Sequence, residues 1–380
     1  MPPERVEAGD GPIRFRDLPV DRADWDDWRW QMRNRVIDIA GLETCFRLTD
    51  EEREAVRRLH GALPVGITPY YISGMDPSDP SDPLRLTMIP RLAEFHAKPW
   101  EREDPLGERD HEVAPGLVHT YRNKVLFLVT DRCATYCRYC TRSRMVGGGE
   151  VPADRGRWNE ALDYIRAHPE IDDVLLSGGD PLVLGDEKLG ELLEAIRAIP
   201  HVSLIRLGTK IPAVAPQRVT PELVSILHRF HPLWFSIHFT HPAELRPEVA
   251  QACERLSNAG IPLMAQTVLL KGVNDDPEIL ASLMTGLLRL RVKPYYLHQC
   301  DNVKGSWHFK TPVEKGREIV GAMHGRMTGY GVPQYMIDAP GGGGKVPVSP
   351  HFITGRDGED LLLRNREGIL YRYPDPQEEE

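Results

Sequence analysis

The sequence has no apolar run long enough to cross a bilayer: its longest, such as VLFLV at 125 to 129, fall far short of the roughly 20 residues that a membrane helix needs. Nor is there an excess of basic residues. With 47 Lys and Arg against 56 Asp and Glu, a net charge of -9 opposes a surface built to neutralise phosphates, so neither membrane nor nucleic acid is expected as a partner. Low-complexity tracts are absent, as are internal repeats beyond an alternation of strands and helices. The opening MPPERVEAGDGPIRFRDLP is polar and broken by proline; it lacks the apolar centre of a secretion signal, which points to a cytoplasmic protein. Cysteine is scarce, six in 380 residues, yet Cys133, Cys137 and Cys140 crowd into eight positions. Such clustering in an intracellular chain favours a metal site over a disulfide framework.

What is present is an ordinary globular composition, 41% hydrophobic and 27% charged, in a chain able to bury a substantial core. DWDDWRWQMRNRVIDI at 24 to 39 places apolar residues three and four apart, which predicts an amphipathic helix. Thr49 and Glu52 have capping-box spacing and open a second helix. The string DPSDPSDP at 76 to 83 then keeps the chain in turns or an extended arm. Beyond residue 120, six β-rich runs stand at 125 to 130, 173 to 178, 204 to 209, 234 to 239, 263 to 270 and 293 to 300, with helical stretches between them. Among those stretches, Thr220 and Pro221 read as cap and first residue of a helix. The pattern predicts an α/β fold, a partial (β/α)6 TIM-like barrel with an N-terminal helical region and a short C-terminal segment. Divisions are expected at 1–120, 121–338 and 339–380, and the final DPQEEE reads as a solvated acidic tail. In such a fold chemistry gathers where strands end at their carboxyl edge. The cysteines follow the first strand, Gly178, Gly179 and Asp180 the second, and Asp301 the sixth.

CATYCRYC gives the spacing C-x3-C-x2-C. Thiolates are the ligands of iron-sulfur clusters, and three cysteines on a four-iron cluster leave one iron open to bind a substrate. A zinc site would need a fourth ligand, which no local C-x2-C or H-x3-H partner supplies. Near the C-terminus DAPGGGGKVPVSP sets four glycines before Lys345. A phosphate-binding P-loop is excluded, because Ala339 stands where that motif needs glycine and Val346 where it needs serine or threonine. By itself the string is either a flexible loop that lets a lysine reach inward or a mobile turn with a solvated lysine.

The cysteine spacing resembles the radical S-adenosylmethionine superfamily. CATYCRYCTR and DAPGGGGKVPV, together with WRWQMRNR, ITPYYIS, DVLLSGGD, PQRVTPELV, KPYYLHQCD and HFKTPVEKG, resemble the lysine 2,3-aminomutase family over nearly the whole chain. The resemblance implies an isomerase with a four-iron, four-sulfur cluster on Cys133, Cys137 and Cys140, S-adenosylmethionine on its open iron, and pyridoxal phosphate on Lys345. By the same resemblance Tyr139, Ser177, Gly178, Gly179, Asp180 and Gln266 are expected at the adenosylmethionine site. Arg142 would hold the substrate carboxylate, and Asp301 and Asp338 its side-chain ammonium. Thr120 stands where the family has a basic residue for the cofactor phosphate, leaving Tyr121, Arg122 and Lys124 as candidates; His298 replaces an aromatic residue. The partners implied are a small amino acid, an electron donor such as flavodoxin or ferredoxin, and further copies of the chain in a homo-oligomer. L-lysine is the expected substrate. The alternatives are arginine or another basic amino acid, or radical chemistry serving the modification of a protein lysine.

Overall fold

The computed structural model of the chain describes residues 13–16, 18–59, 63–148, 153–365 and 367–375; the first twelve residues and most of the acidic tail, 376–380, lie outside them. A small antiparallel pair, β1 (Ile13–Phe15) and β2 (Leu18–Val20), comes first. The segment expected as one helix from 24 to 39 is instead two, Arg22–Asp26 and Trp28–Arg33, followed by a third at Ile39–Cys45. Asp27 causes the break. It ends the first helix in extended conformation, and its carboxylate accepts the Arg29 and Trp30 backbone N–H groups that open the second. The expected capping box is present: Thr49 Oγ1 accepts from Glu52 N (3.2 Å), and the Glu52 carboxylate from Thr49 N (2.7 Å). Glu52 also receives the fully buried Arg85 guanidinium through Nε (3.0 Å) and Nη2 (2.8 Å), tying this helix to the turn-rich passage that follows. In that passage Asp76, Asp79 and Asp82 accept nearby backbone N–H groups, and Asp82 caps a short helix at Pro83–Leu86.

Ten strands form one mixed sheet: β3 (Glu112–Ala114), β4 (Leu117–Tyr121), β5 (Lys124–Thr130), β6 (Asp173–Gly178), β7 (Leu204–Thr209), β8 (Leu233–His238), β9 (Leu263–Leu269), β10 (Val292–Gln299), β11 (Gln334–Ala339) and β12 (Gly344–Pro347). They lie side by side in chain order. From β5 to β11 every pairing is parallel, while β3, β4 and β12 add antiparallel edges. The six expected strands are all here, and β11 extends the parallel run. Helices at Arg155–Ala167, Asp186–Arg197, Pro221–His228, Pro247–Asn258, Pro277–Arg289 and Val313–Met323 provide the crossovers that parallel strands require. Thr220 caps the third of these with Pro221 at its first position.

Burial alternates along the strands. Val174, Leu176, Ile205 and Leu207 are wholly buried and belong to the main apolar core, whereas Asp173, Leu175, Ser177 and Arg206 are half-buried. The second set faces the lumen of an open barrel whose edges, β3 and β12, do not pair. A separate antiparallel meander, β13 (Ile353–Asp357), β14 (Asp360–Arg364) and β15 (Leu370–Pro374), closes the described chain. No described helix is long and apolar enough to cross a membrane.

Candidate active site

The loop leaving β5 brings Cys133, Cys137 and Cys140 to one cavity of about 160 Å³, bordered also by Tyr139, Ser177, Gly178, Gly179, Asp180, Lys210 and His238. Burial raises all three thiols, Cys140 to about 11. At Cys137 the Lys210 ammonium opposes this, as a cation beside a nascent thiolate must. Among the described residues no three His, Cys, Asp or Glu side chains converge on a point that one metal ion could occupy. Three sulfurs around a cavity suit a cluster, whose irons stand apart, better than a single ion.

Gly178 has φ +123°, and a Cβ there would lie 2.3 Å from the Thr130 carbonyl oxygen. Its lack of a side chain thus lets the end of β6 press against the strand that leads into the cysteine loop, besides baring backbone at the cavity. The Asp180 carboxylate is already engaged, accepting from Thr209 Oγ1 (2.7 Å), Lys210 N (2.7 Å) and Leu182 N (3.0 Å). Burial raises its pKa against those bonds. Tyr139 is buried, its hydroxyl 2.9 Å from Thr240 Oγ1.

A second cavity, about 170 Å³, holds Lys345. β11 ends in Asp338 and Ala339, the glycines turn the chain, and β12 returns antiparallel with Lys345 directly opposite Asp338. Lys345 Nζ lies 2.7 and 2.8 Å from the two Asp338 oxygens, and its backbone N–H donates to the Tyr121 hydroxyl (3.0 Å). Burial pushes the Asp338 pKa up, but the His298 hydrogen bond and the Lys345 charge prevail and hold it at about 2. The glycine run is tied to the segment before β3: Gly341 N donates to Pro105 O (3.1 Å), and a Cβ on Gly342 (φ +84°) would lie 2.3 Å from the His111 ring. Close packing demands glycine here as much as flexibility does.

Arg142 borders both cavities. Its Nε and Nη2 edge is held by the buried Glu108 carboxylate (2.9 and 2.8 Å), which Arg144 also reaches (3.0 Å); Nη1 lies 3.3 Å from Ser177 Oγ. Burial would raise the Glu108 pKa, but the two guanidinium groups lower it. Beyond Asp338, His298 places Nδ1 3.2 Å from Asp338 Oδ2 and Nε2 3.2 Å from Gln266 Oε1. Asp301 is half-buried and accepts from Thr141 Oγ1 (2.5 Å); its partial burial raises its pKa, and the Asp338 charge adds to that.

Of the residues singled out from sequence, the cysteines, Tyr139, Ser177, Gly178, Gly179 and Asp180 share the first cavity, and Tyr121, Lys124, Asp338 and Lys345 the second. Asp301 and Gln266 border neither, and Arg122 is exposed on the turn after β4. Glu108, Lys210, Arg206 and His238 border the cavities but carry no motif. Only the charge inside the apolar run LIRLGT could have flagged Arg206.

Residues 127–284 match the model of the radical SAM superfamily, and residues 320–380 that of Lysine-2,3-aminomutase. The chain is 46% identical to the L-lysine 2,3-aminomutase of Clostridium subterminale over 95% of its own length and 86% of that protein's. It is 43% identical to the L-lysine 2,3-aminomutase of Bacillus subtilis over 96% and 77%, and 39% identical to the glutamate 2,3-aminomutase of Clostridioides difficile over 93% and 83%. The cofactors of such enzymes are a four-iron, four-sulfur cluster, S-adenosylmethionine and pyridoxal phosphate. A radical superfamily domain, an aminomutase C-terminal segment and relatives this similar along most of their length lead to one conclusion: the chain belongs to the lysine 2,3-aminomutase family of radical S-adenosylmethionine isomerases.

Proposed function

We propose that the protein moves the α-amino group of a basic amino acid, L-lysine, to the neighbouring β carbon. The observation that carries this reading is the place of Arg142, whose guanidinium is common to the cavity of the cysteines and the cavity of Lys345. One group at that junction can hold the carboxylate of a substrate whose α and β carbons face both cofactor sites.

In this reading Cys133, Cys137 and Cys140 ligate the cluster, the cavity around Tyr139 and Gly178–Asp180 receives S-adenosylmethionine, and Lys345 carries pyridoxal phosphate. When bound, the cluster and adenosylmethionine supply a carbon-centred radical that removes hydrogen, and pyridoxal phosphate supplies a carbonyl and conjugated ring for the migrating nitrogen. The chain's own side chains bind and orient. Glu108 grips one edge of Arg142, leaving the other to take a carboxylate in the planar, two-bond manner that guanidinium favours. Asp338 and Asp301 offer negative charge to the distal cation; two neighbouring, half-buried carboxylates repel unless a positive group completes them, which favours a basic substrate over glutamate. Ala134, Tyr136 and Tyr139 of the cysteine loop are buried, and this apolar packing would limit water at the reacting carbons. A one-electron donor such as flavodoxin or ferredoxin completes the system, and the protein acts as a homo-oligomer.

The test is anaerobic turnover of lysine labelled with nitrogen-15 at the α position. Recovery of the label on the β carbon of β-lysine is expected; recovery of unchanged lysine alone, with S-adenosylmethionine cleaved, would overturn the reading.

A further inference from the structure

The segment WRWQMRNR at 28–35 borders neither of the two cavities, yet its last residue is bonded to the cysteine loop. The helix Trp28–Arg33 stops at Asn34, whose side-chain amide turns back to donate to Trp30 O (3.0 Å). Arg35 comes next. Its Nε donates to Met32 O (3.2 Å), one of the carbonyls that a helix end leaves unpartnered, and its Nη1 donates to Cys133 O (2.7 Å). The same guanidinium lies 5.8 Å from the centre of the Tyr136 ring, also in the cysteine loop. Backbone bonds fix the surroundings: Val36 and Ile67 exchange hydrogen bonds (2.8 and 3.0 Å), and Tyr136 N donates to Gly66 O (2.9 Å). A Cβ on Gly66 would lie 2.7 Å from the Tyr136 ring, so the two segments meet closely.

Both acceptors of Arg35 are neutral carbonyls, and among the described residues no carboxylate pairs with it. The other cations of this loop and its cavity differ. Lys210 is paired with Glu244 (2.7 Å), Arg138 with Glu94 (2.5 Å), and Arg142 and Arg144 with Glu108 (2.8 and 3.0 Å), while Arg132 is exposed to solvent. A half-buried guanidinium is costly to leave without a counter-charge. Beside a cluster ligand, the negative charge of the thiolates supplies one, and it grows by a full charge when the cluster takes up an electron.

We propose that Arg35 is a positioning residue for the cluster, fixing Cys133 through its carbonyl and favouring the reduced state through its unpaired charge. One electron leaves the donor protein, which is oxidised, and enters the cluster, which is reduced; no proton moves. The guanidinium stabilises the added negative charge. This role rests on the reading of Cys133, Cys137 and Cys140 as the cluster ligands.

The full-length protein, reconstituted anaerobically with iron and sulfide, is poised with dithionite and redox mediators, and the reduced fraction is read by electron paramagnetic resonance. Arg35→Gln keeps an N–H donor and loses the charge. At the potential that half-reduces the wild type, its ratio of reduced to oxidised cluster should be about tenfold lower, a shift of about 59 mV for one electron. Arg35→Lys keeps the charge and should stay within about threefold of the wild-type ratio. Iron and sulfide analysis gives the cluster content of each protein, and a denaturant midpoint its stability. A purely structural arginine would lower both of these without moving the ratio in the clusters that remain. An unchanged ratio in Arg35→Gln, or a tenfold fall in Arg35→Lys, overturns the proposal. An Arg35→Gln protein that takes up no cluster also overturns it, because the role is then structural alone. Failure of the wild type itself to take up a four-iron cluster overturns the reading of the cysteines, and the role of Arg35 with it.

Discussion

Asp338 and Lys345 are cross-strand partners in register on β11 and β12, with the Lys345 ammonium 2.7 and 2.8 Å from the two oxygens of the Asp338 carboxylate. Without cofactor, the lysine's charge is met by the residue proposed to meet the substrate's. In the proposed reading Asp338 exchanges one cation, Lys345, for another, that of the amino acid, while His298 holds it from the other side.

Asp338→Asn should keep both cofactors yet lose about two to four powers of ten in kcat/KM for lysine, as expected when one partner of a buried ion pair is removed. The pH dependence follows from the same contacts. Asp338 titrates at about 2, below its ordinary value, so its contribution to stability is fully present above the unfolded value near 4 and is lost as pH falls toward 2. Asp301 is shifted upward and has the opposite sign: its destabilising effect grows as pH rises above the ordinary carboxylate range. Carbon-13 titration of the two carboxyls should show this order, and in Asp338→Asn the Asp301 value should fall because a neighbouring negative charge is gone.

Cys137→Ala should abolish cleavage of S-adenosylmethionine and leave the anaerobically reconstituted protein without its four-iron cluster. Iron and sulfide analysis with an assay for 5'-deoxyadenosine checks this. Cleavage at the wild-type rate would contradict the assignment of the cysteine cavity.

Gly342→Ala places a Cβ against the His111 ring at a residue with φ +84°, and should cost about 1 kcal/mol or more in backbone strain alone. Because this turn leads into Lys345, borohydride trapping of pyridoxal phosphate should slow while adenosylmethionine cleavage persists. Equal slowing of both would point to general unfolding instead.

In the N-terminal region, Glu52→Ala leaves Arg85, fully buried, without its carboxylate and removes half of the capping box. A loss of about 3 to 5 kcal/mol is expected, measurable as a lower denaturant midpoint. The folded protein should still bind both cofactors.

The six central strands were legible because each is a short apolar run bounded by turns, and the cysteine site because its ligands are local. β11 and β12 were not: QYMIDA carries a charge and GKVP a proline, so neither has the look of a strand until β10 is beside it. The split of the first helix at Asp27 was missed because periodicity ignores a carboxylate that caps the next turn. Glu108 and Arg206 escaped notice for a related reason: their meaning lies in partners 34 and 33 residues away, Arg142 and Asp173. Resemblance supplied Arg142, Asp338 and Lys345, and the fold then brought these three to one cavity.

The most direct measurement offers the reconstituted enzyme, anaerobically, an equimolar mixture of lysine, arginine, ornithine and glutamate, and reads each β-amino product by mass. The carboxylates of Asp338 and Asp301 predict a basic amino acid ahead of glutamate, and the similarity to L-lysine 2,3-aminomutases predicts that it is lysine, with β-lysine accumulating. Arginine in first place would change only the head group that the pocket prefers. Preferred conversion of glutamate would contradict the account.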